Sequence, residues 1–94
     1  MKPQIIKKLK ENGLSYELSC QITPLLVTLS NGCRISENGL NMLLYYSAVR
    51  NVLSEIIGFD LNDLSKSKCK EAVEIYRAKV LDVKNKERRM QYKV

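Results

Sequence analysis

The chain lacks several residue types on which enzymes and metal proteins depend. Its 94 residues include no histidine and no tryptophan, and its three cysteines, Cys20, Cys33 and Cys69, stand far apart. A structural zinc site needs four ligands, usually cysteine and histidine, and a nucleophilic serine or cysteine needs a neighbouring base. The sequence therefore predicts a protein that is not an enzyme and that uses no metal ion and no cofactor.

Glycine, proline and long apolar runs are also scarce. With four glycines and two prolines, the chain contains neither a dinucleotide-binding glycine motif nor a P-loop. The longest stretch without a charge, residues 18–33, is too short and too polar to span a bilayer, and the charged N-terminus does not resemble a secretory signal. We therefore expect a cytoplasmic protein with buried, reduced cysteines and no membrane partner.

The length of the chain suits one domain with a modest core. No internal repeat or low-complexity segment divides it. We predict a single compact domain over residues 1–90, followed by a frayed basic tail over residues 91–94.

Two periodicities coexist in residues 14–36. Apolar and polar residues alternate strictly from Leu14 to Thr23, which is typical of a half-buried strand, and Asn31-Gly32 is a strong hairpin signal. Many of the same apolar residues also fit a helical stripe, with Pro24 near the start of a helix and Gly32 at its end. We favour the strands, and the helical alternative would give a layout like a helix-turn-helix.

The rest of the chain has helical patterns. A short helix is predicted over residues 3–12, ended by Gly13, and a continuous apolar stripe predicts one helix over residues 37–57. A long helix follows over about residues 67–90. The predicted fold class is α+β, with a short N-terminal helix, a small antiparallel β hairpin or meander, and two longer C-terminal helices. The alternative is an all-α bundle with a helix-turn-helix-like N-terminal half.

All of the net charge lies in the last third of the chain. Residues 1–65 contain six basic and six acidic residues, whereas residues 66–94 contain ten basic and four acidic residues, which accounts for the net charge of +6. A neutral body joined to a basic helix indicates an acidic partner. The ten basic residues are the candidate contacts: Lys66, Lys68, Lys70, Arg77, Lys79, Lys84, Lys86, Arg88, Arg89 and Lys93.

Helical geometry sorts most of these bases into two rows beside the apolar stripe. Lys70, Arg77, Lys84 and Arg88 share one flank, and Lys68, Lys79, Lys86 and Lys93 share the other. The rows can contact phosphates, or their long stems can cover the edges of a packed seam. Lysines 66, 68 and 70 also crowd the predicted helix start, which is a setting that favours anions unless the helix begins earlier, at Asp60.

These observations give two functional hypotheses. The leading one is a small protein that binds the nucleic-acid backbone through its basic C-terminal helix. The other is an adaptor or inhibitor, of the kind that phage and mobile elements encode, docking on an acidic surface of a larger host protein complex. Leu40, Leu43 and Leu44 make one helix end apolar all round, so this end is either enclosed by the fold or a contact with a partner or a second copy.

Overall fold

The protein is described by a computed structural model that gives the backbone of residues 1–92 and the side chains of residues 1–88. Within residues 1–92 the chain forms five α-helices and no strand. The predicted α+β class, with a β hairpin in residues 14–36, is therefore wrong, and the fold is all-α. The helices are α1 (Lys2–Glu11), α2 (Tyr16–Ser30), α3 (Glu37–Tyr45), α4 (Ser47–Ile57) and α5 (Lys66–Tyr92).

Helix α2 occupies most of the segment that was predicted as strands. It begins after Ser15, whose hydroxyl accepts a hydrogen bond from Leu18 N at 3.2 Å, and such a cap satisfies one of the free amides at a helix start. Pro24 lies inside this single helix. The helix-turn-helix layout, which needs a break in this region, is therefore not formed.

Two buried polar residues explain why α2 resembles a strand in sequence. Ser19 and Thr23 are both buried, and each hydroxyl donates to the carbonyl four residues earlier, at 2.7 Å for Ser19 and 2.6 Å for Thr23. These bonds satisfy the hydroxyls without a partner outside the helix. Polar residues can therefore occupy the buried side of α2, and this produces the alternating pattern.

The Asn31-Gly32 pair ends α2 instead of turning a hairpin. Gly32 has a left-handed φ of 81°, and its N–H donates to Leu29 O at 3.0 Å while Cys33 N donates to Thr28 O at 3.1 Å. This pair of bonds is the Schellman motif, which satisfies the last free carbonyls of a helix.

The single helix predicted over residues 37–57 is two helices. Tyr46 has an extended backbone, with φ of −91° and ψ of 127°, and separates α3 from α4. Arg50 Nη1 donates to the carbonyl oxygens of Leu44 at 2.6 Å and Tyr45 at 3.1 Å. The guanidinium thus binds carbonyls at the end of α3, where a cation is favoured.

The core lies where the helices meet. Helices α2 and α4 each contact all four other described helices, whereas α5 contacts α2, α3 and α4 only. No helix within residues 1–92 is long and apolar enough to cross a membrane. The following six apolar core residues have no exposed surface: Leu9, Ile22, Leu26, Leu43, Val49 and Leu53.

Candidate functional site

Helix α5 lies on the body with its first half and extends past it with its second. Cys69 and Val73 are buried, and Tyr76 and Val80 are partly buried, whereas every residue from 81 to 88 is exposed. The predicted stripe therefore packs only as far as Val80. The helix begins at Lys66 and not at Asp60, so the first turn does carry the cluster of lysines.

One flank of α5, which we call the inner row, consists of Lys70, Arg77, Lys84 and Arg88. Lys70 forms an ion pair with Glu37 at the start of α3. Lys84 Nζ donates to Asn31 O at 2.6 Å, and Arg77 Nη1 donates to Gly32 O at 3.3 Å. Three of the four bases therefore have partners on the body of the protein.

The inner row stabilises the end of α2. The carbonyls at a helix C-terminus carry partial negative charge, and nearby cations lower the free energy of the folded state. The Arg77 side chain is only 12% exposed, and its guanidinium also pairs with Glu74 at 3.1 Å. Arg77 is therefore held in place by contacts of its head group within the fold, a role that the sequence did not predict for this row.

The inner row lowers the pKa of Glu37, chiefly through Lys70. The hydrogen bond and charge of Lys70, with a smaller contribution from Lys66, hold the pKa of the Glu37 carboxyl below its ordinary value. A lowered folded-state pKa means that the pair stabilises the fold above the ordinary carboxyl range and loses this effect as pH falls through the shifted value.

Arg77→Gln should lower the stability of the fold, whereas Lys79→Gln should not. We expect the free energy of unfolding to fall by about 1 to 2 kcal/mol, because the helix-end carbonyl loses a charged and largely buried donor. Lys79→Gln is the matched control, with the same charge change two residues away on an exposed side chain, and should stay within about 0.5 kcal/mol. Urea unfolding measures both, and equal stabilities would contradict the capping role.

The other flank, which we call the outer row, consists of Lys68, Lys79 and Lys86. All three are exposed. Lys86 lies 3.3 Å from Asp82 in a solvent-exposed pair, which contributes little to stability. Lys68 and Lys79 form no ion pair within residues 1–88. These lysines are open to a ligand.

The remaining predicted basic contacts lie at the two ends of α5. Lys66, at the first turn, is exposed, as is Arg88. The side chain of Arg89 and the whole of Lys93 lie outside the described residues, as does Val94 of the predicted tail. The structure therefore divides the ten predicted bases into three on the body, five exposed, and two that it does not describe.

The apolar end of α3 is enclosed by the fold. Leu43 and Leu44 are buried and belong to the core, and Leu40 packs against it. Leu40 is only partly exposed and the other two leucines are buried, so we do not place a contact with a partner or a second copy there.

A groove that the sequence did not predict lies beside the outer row. It has a volume of about 510 Å³ and runs between the end of α4 and α5. Phe59 and Ile75 line it and are 56% and 51% exposed, and Lys68 and Lys79 lie along the same groove. Ile75 lies on the side of α5 away from the buried residues Cys69 and Val73, so its exposure follows from its angular position on the helix. For Phe59, which lies in the segment between α4 and α5, no periodic pattern predicts exposure.

A second pocket, of about 360 Å³, lies where α3, α4 and the start of α5 meet. Its lining includes two cations, Arg50 and Lys66, and no carboxylate. Sequence reasoning placed Lys66 in an anion site but did not include Arg50, which is distant in sequence and reaches the pocket only because of the break at Tyr46. The polar and aromatic lining residues are Asn41, Tyr45 and Asn62.

The cysteines are free thiols. Cys20 and Cys33 are exposed, whereas Cys69 is buried, so only one of the three fits the expectation of buried thiols. Burial raises the pKa of the Cys69 thiol, and its Sγ donates to Leu61 O at 3.3 Å. No cluster of potential metal ligands occurs within the described residues.

Comparison of the chain with family models, curated proteins and solved structures gives no match.

Proposed function

We propose that the protein binds the phosphate backbone of nucleic acid through the outer row of α5. The observation that carries this proposal is the alignment of Lys68, Lys79 and Lys86 on one exposed line of a helix whose other basic row is engaged with the body. At 100° per residue these lysines fall within about 20° of one another, and they extend over about 27 Å of helix axis.

The dimensions suit a polyanion. One strand of B-DNA has a phosphate about every 3.4 Å of helix axis, so about eight phosphates lie within reach of the row. Lysine binds phosphate as a point charge and does not fix a base by paired hydrogen bonds. Binding is therefore expected to depend strongly on salt and weakly on sequence.

The proposal describes a cytoplasmic protein that binds nucleic acid and does not catalyse a reaction. Exposed thiols persist best where the surroundings are reducing, and Cys20 and Cys33 are exposed and unpaired. This supports the intracellular location that nucleic-acid binding requires.

Replacing the outer row with glutamine should abolish most of the binding. Each lost phosphate contact lowers the salt slope by about one unit, so Lys68→Gln/Lys79→Gln/Lys86→Gln should lower it by about two to three units. At 0.1 M salt this corresponds to a loss of affinity of about two to three orders of magnitude. Fluorescence anisotropy with labelled DNA and RNA at several salt concentrations measures both quantities.

The matched control removes three lysines from α1. Lys2, Lys7 and Lys10 are exposed, and changing all three to glutamine gives the same net charge as the outer-row variant. This control should retain most of the affinity if the outer row is the contact. Equal losses for the two variants would show that net charge alone governs binding, and no binding by the wild type at low salt would refute the proposal.

An acidic protein partner is the second candidate, and the groove beside the outer row favours it. Exposed Phe59 and Ile75 next to lysines suit an amphipathic acidic segment. If a purified partner binds there, Ile75→Asp should weaken the complex by about tenfold or more. Ala78→Asp, on an exposed position of the same helix, should not, and equal weakening by both would exclude the groove.

A further inference from the structure

The guanidinium of Arg50 is held in a fixed position with one nitrogen left over. Nη1 donates to Leu44 O and Tyr45 O, and Nε donates to Asn62 Oδ1 at 3.4 Å. Within residues 1–88, Nη2 makes no such bond. A half-buried guanidinium with an unused N–H edge is a ready donor for an oxyanion.

A ladder of side-chain amides orients this arrangement. Asn62 Nδ2 donates to Asn51 Oδ1 at 2.8 Å and to Asp60 Oδ1 at 3.1 Å. These two bonds direct the Asn62 carbonyl oxygen toward Arg50 Nε. The pocket wall is therefore built before any ligand arrives, which lowers the entropy cost of binding.

The lining of the pocket contains two cations and no carboxylate. Arg50 forms no ion pair within residues 1–88, and neither does Lys66. Glu37 pairs with Lys70, and Asp60 accepts hydrogen bonds from Asn62. Arg50 is partly buried whereas Lys66 is exposed. Because removing a cation from water without a counter-ion is unfavourable, an anion in this pocket stabilises chiefly the charge of Arg50.

The pocket also offers contacts beyond the anion. Asn41 also lines the pocket, but its Oδ1 is shielded from solvent and is therefore closed to a ligand. Tyr45 lines the pocket with a ring that is 78% exposed, and exposed tyrosines are suited to stacking with bases. A ligand with an anionic group and a flat ring would contact both the cations and Tyr45.

We propose that this pocket is a binding site for a phosphate monoester of the nucleotide type, with Arg50 and Lys66 as the phosphate ligands. A phosphate supplies the charge and the acceptor oxygens, and the nucleoside supplies a ring for Tyr45. The site is separate from the outer row, because Lys66 and Lys68 differ by about 200° around α5.

The test uses NMR titration of the ¹⁵N-labelled full chain with adenosine monophosphate, inorganic phosphate and adenosine. Adenosine monophosphate should shift the amides of residues 41–50 and 61–69 and saturate below about 5 mM, which is an affinity typical of a weak single-phosphate site. Phosphate alone should shift the same amides more weakly, and adenosine should not saturate. No shift with adenosine monophosphate, or equal binding of adenosine, would overturn the proposal.

Two variants with a neighbouring control complete the design. Lys66→Gln should weaken the binding of adenosine monophosphate at least fivefold. Asn41→Asp puts a carboxylate in the pocket lining at almost unchanged side-chain size and should abolish this binding. Lys68→Gln removes the same charge outside the pocket and should leave the titration unchanged. The outer-row triple variant should also keep its response, so failure of either site is distinguishable from failure of the other. Unchanged binding in Lys66→Gln would mean an adventitious ion only.

Discussion

Leu43→Asp is expected to unfold the protein. Leu43 has no exposed surface, and a carboxylate at this position would lie in the core without a counter-ion. Burying an unpaired charge costs several kcal/mol, or the carboxyl becomes protonated and its desolvation still costs stability. A domain of this length is stable by only about 5 to 14 kcal/mol, so a loss of about 5 kcal/mol or more removes all of its stability at the low end of this range and leaves a largely unfolded chain.

Circular dichroism and urea unfolding measure this effect, and Met42→Asp is its matched control. Met42 neighbours Leu43 in α3 and is 37% exposed, so its aspartate remains hydrated and should cost about 1 kcal/mol. Light scattering separates unfolding from dissociation. A folded Leu43→Asp monomer that replaces a wild-type oligomer would show that this leucine lies at a contact between copies, contrary to its place in the core.

Leu43 is buried whereas Ile75 in the groove is exposed, and the sequence alone could not decide which of the two would be covered. An apolar residue off the main stripe of a helix belongs either to the core or to a contact surface, and the choice depends on which element covers it. Leu43 is covered by the rest of the bundle, whereas Ile75 on α5 is left open. Periodicity locates the buried face of a helix but does not show where its neighbours end.

The error in residues 14–36 has a specific cause. The period of two arises because Ser19 and Thr23 interrupt the apolar positions, but each hydroxyl bonds to the carbonyl four residues earlier, that of the cap Ser15 for Ser19 and that of Ser19 for Thr23. Such bonds do not show in the sequence, because they depend on the helix having formed. The prediction that depends only on backbone geometry is confirmed at Gly13, which follows the end of α1 with a positive φ.

The candidate site was predicted in part for a similar reason. Residue spacing on one helix was sufficient to sort the bases of α5 into two rows. It could not show that Lys84 reaches Asn31 O, because that contact depends on where α2 ends. The sequence therefore identified the basic surface but not the half of it that the fold itself uses.

Gly32→Ala is expected to have the second large effect, because two separate costs add at this residue. Its φ of 81° lies in the left-handed region, where alanine costs about 1 to 2 kcal/mol. A Cβ at Gly32 would also lie 3.1 Å from Val80 Cγ1 and 3.3 Å from Leu81 Cγ. Overpacking of this kind costs about 1 kcal/mol or more, which gives a total of about 2 to 4 kcal/mol.

Two other glycines separate these costs. Gly13 and Gly58 also have positive φ, and a Cβ at either would meet nothing within 4 Å. Gly13→Ala and Gly58→Ala should therefore show the backbone cost alone, about 1 to 2 kcal/mol. At about 4 to 8 °C per kcal/mol for a domain of this size, Gly32→Ala should melt at least 4 °C below both controls.

The excess cost at Gly32 should depend on α5. Because the close neighbours are Val80 and Leu81, the folded protein can relieve the contact by moving the second half of α5 away from the end of α2. Amide exchange should then quicken after Ala78 in Gly32→Ala but not in the controls. Adding Val80→Ala should recover about 1 kcal/mol relative to the sum of the single changes. Full additivity, with unchanged exchange in α5, would mean that the left-handed backbone alone requires glycine at position 32 and that the crossing of α2 and α5 does not.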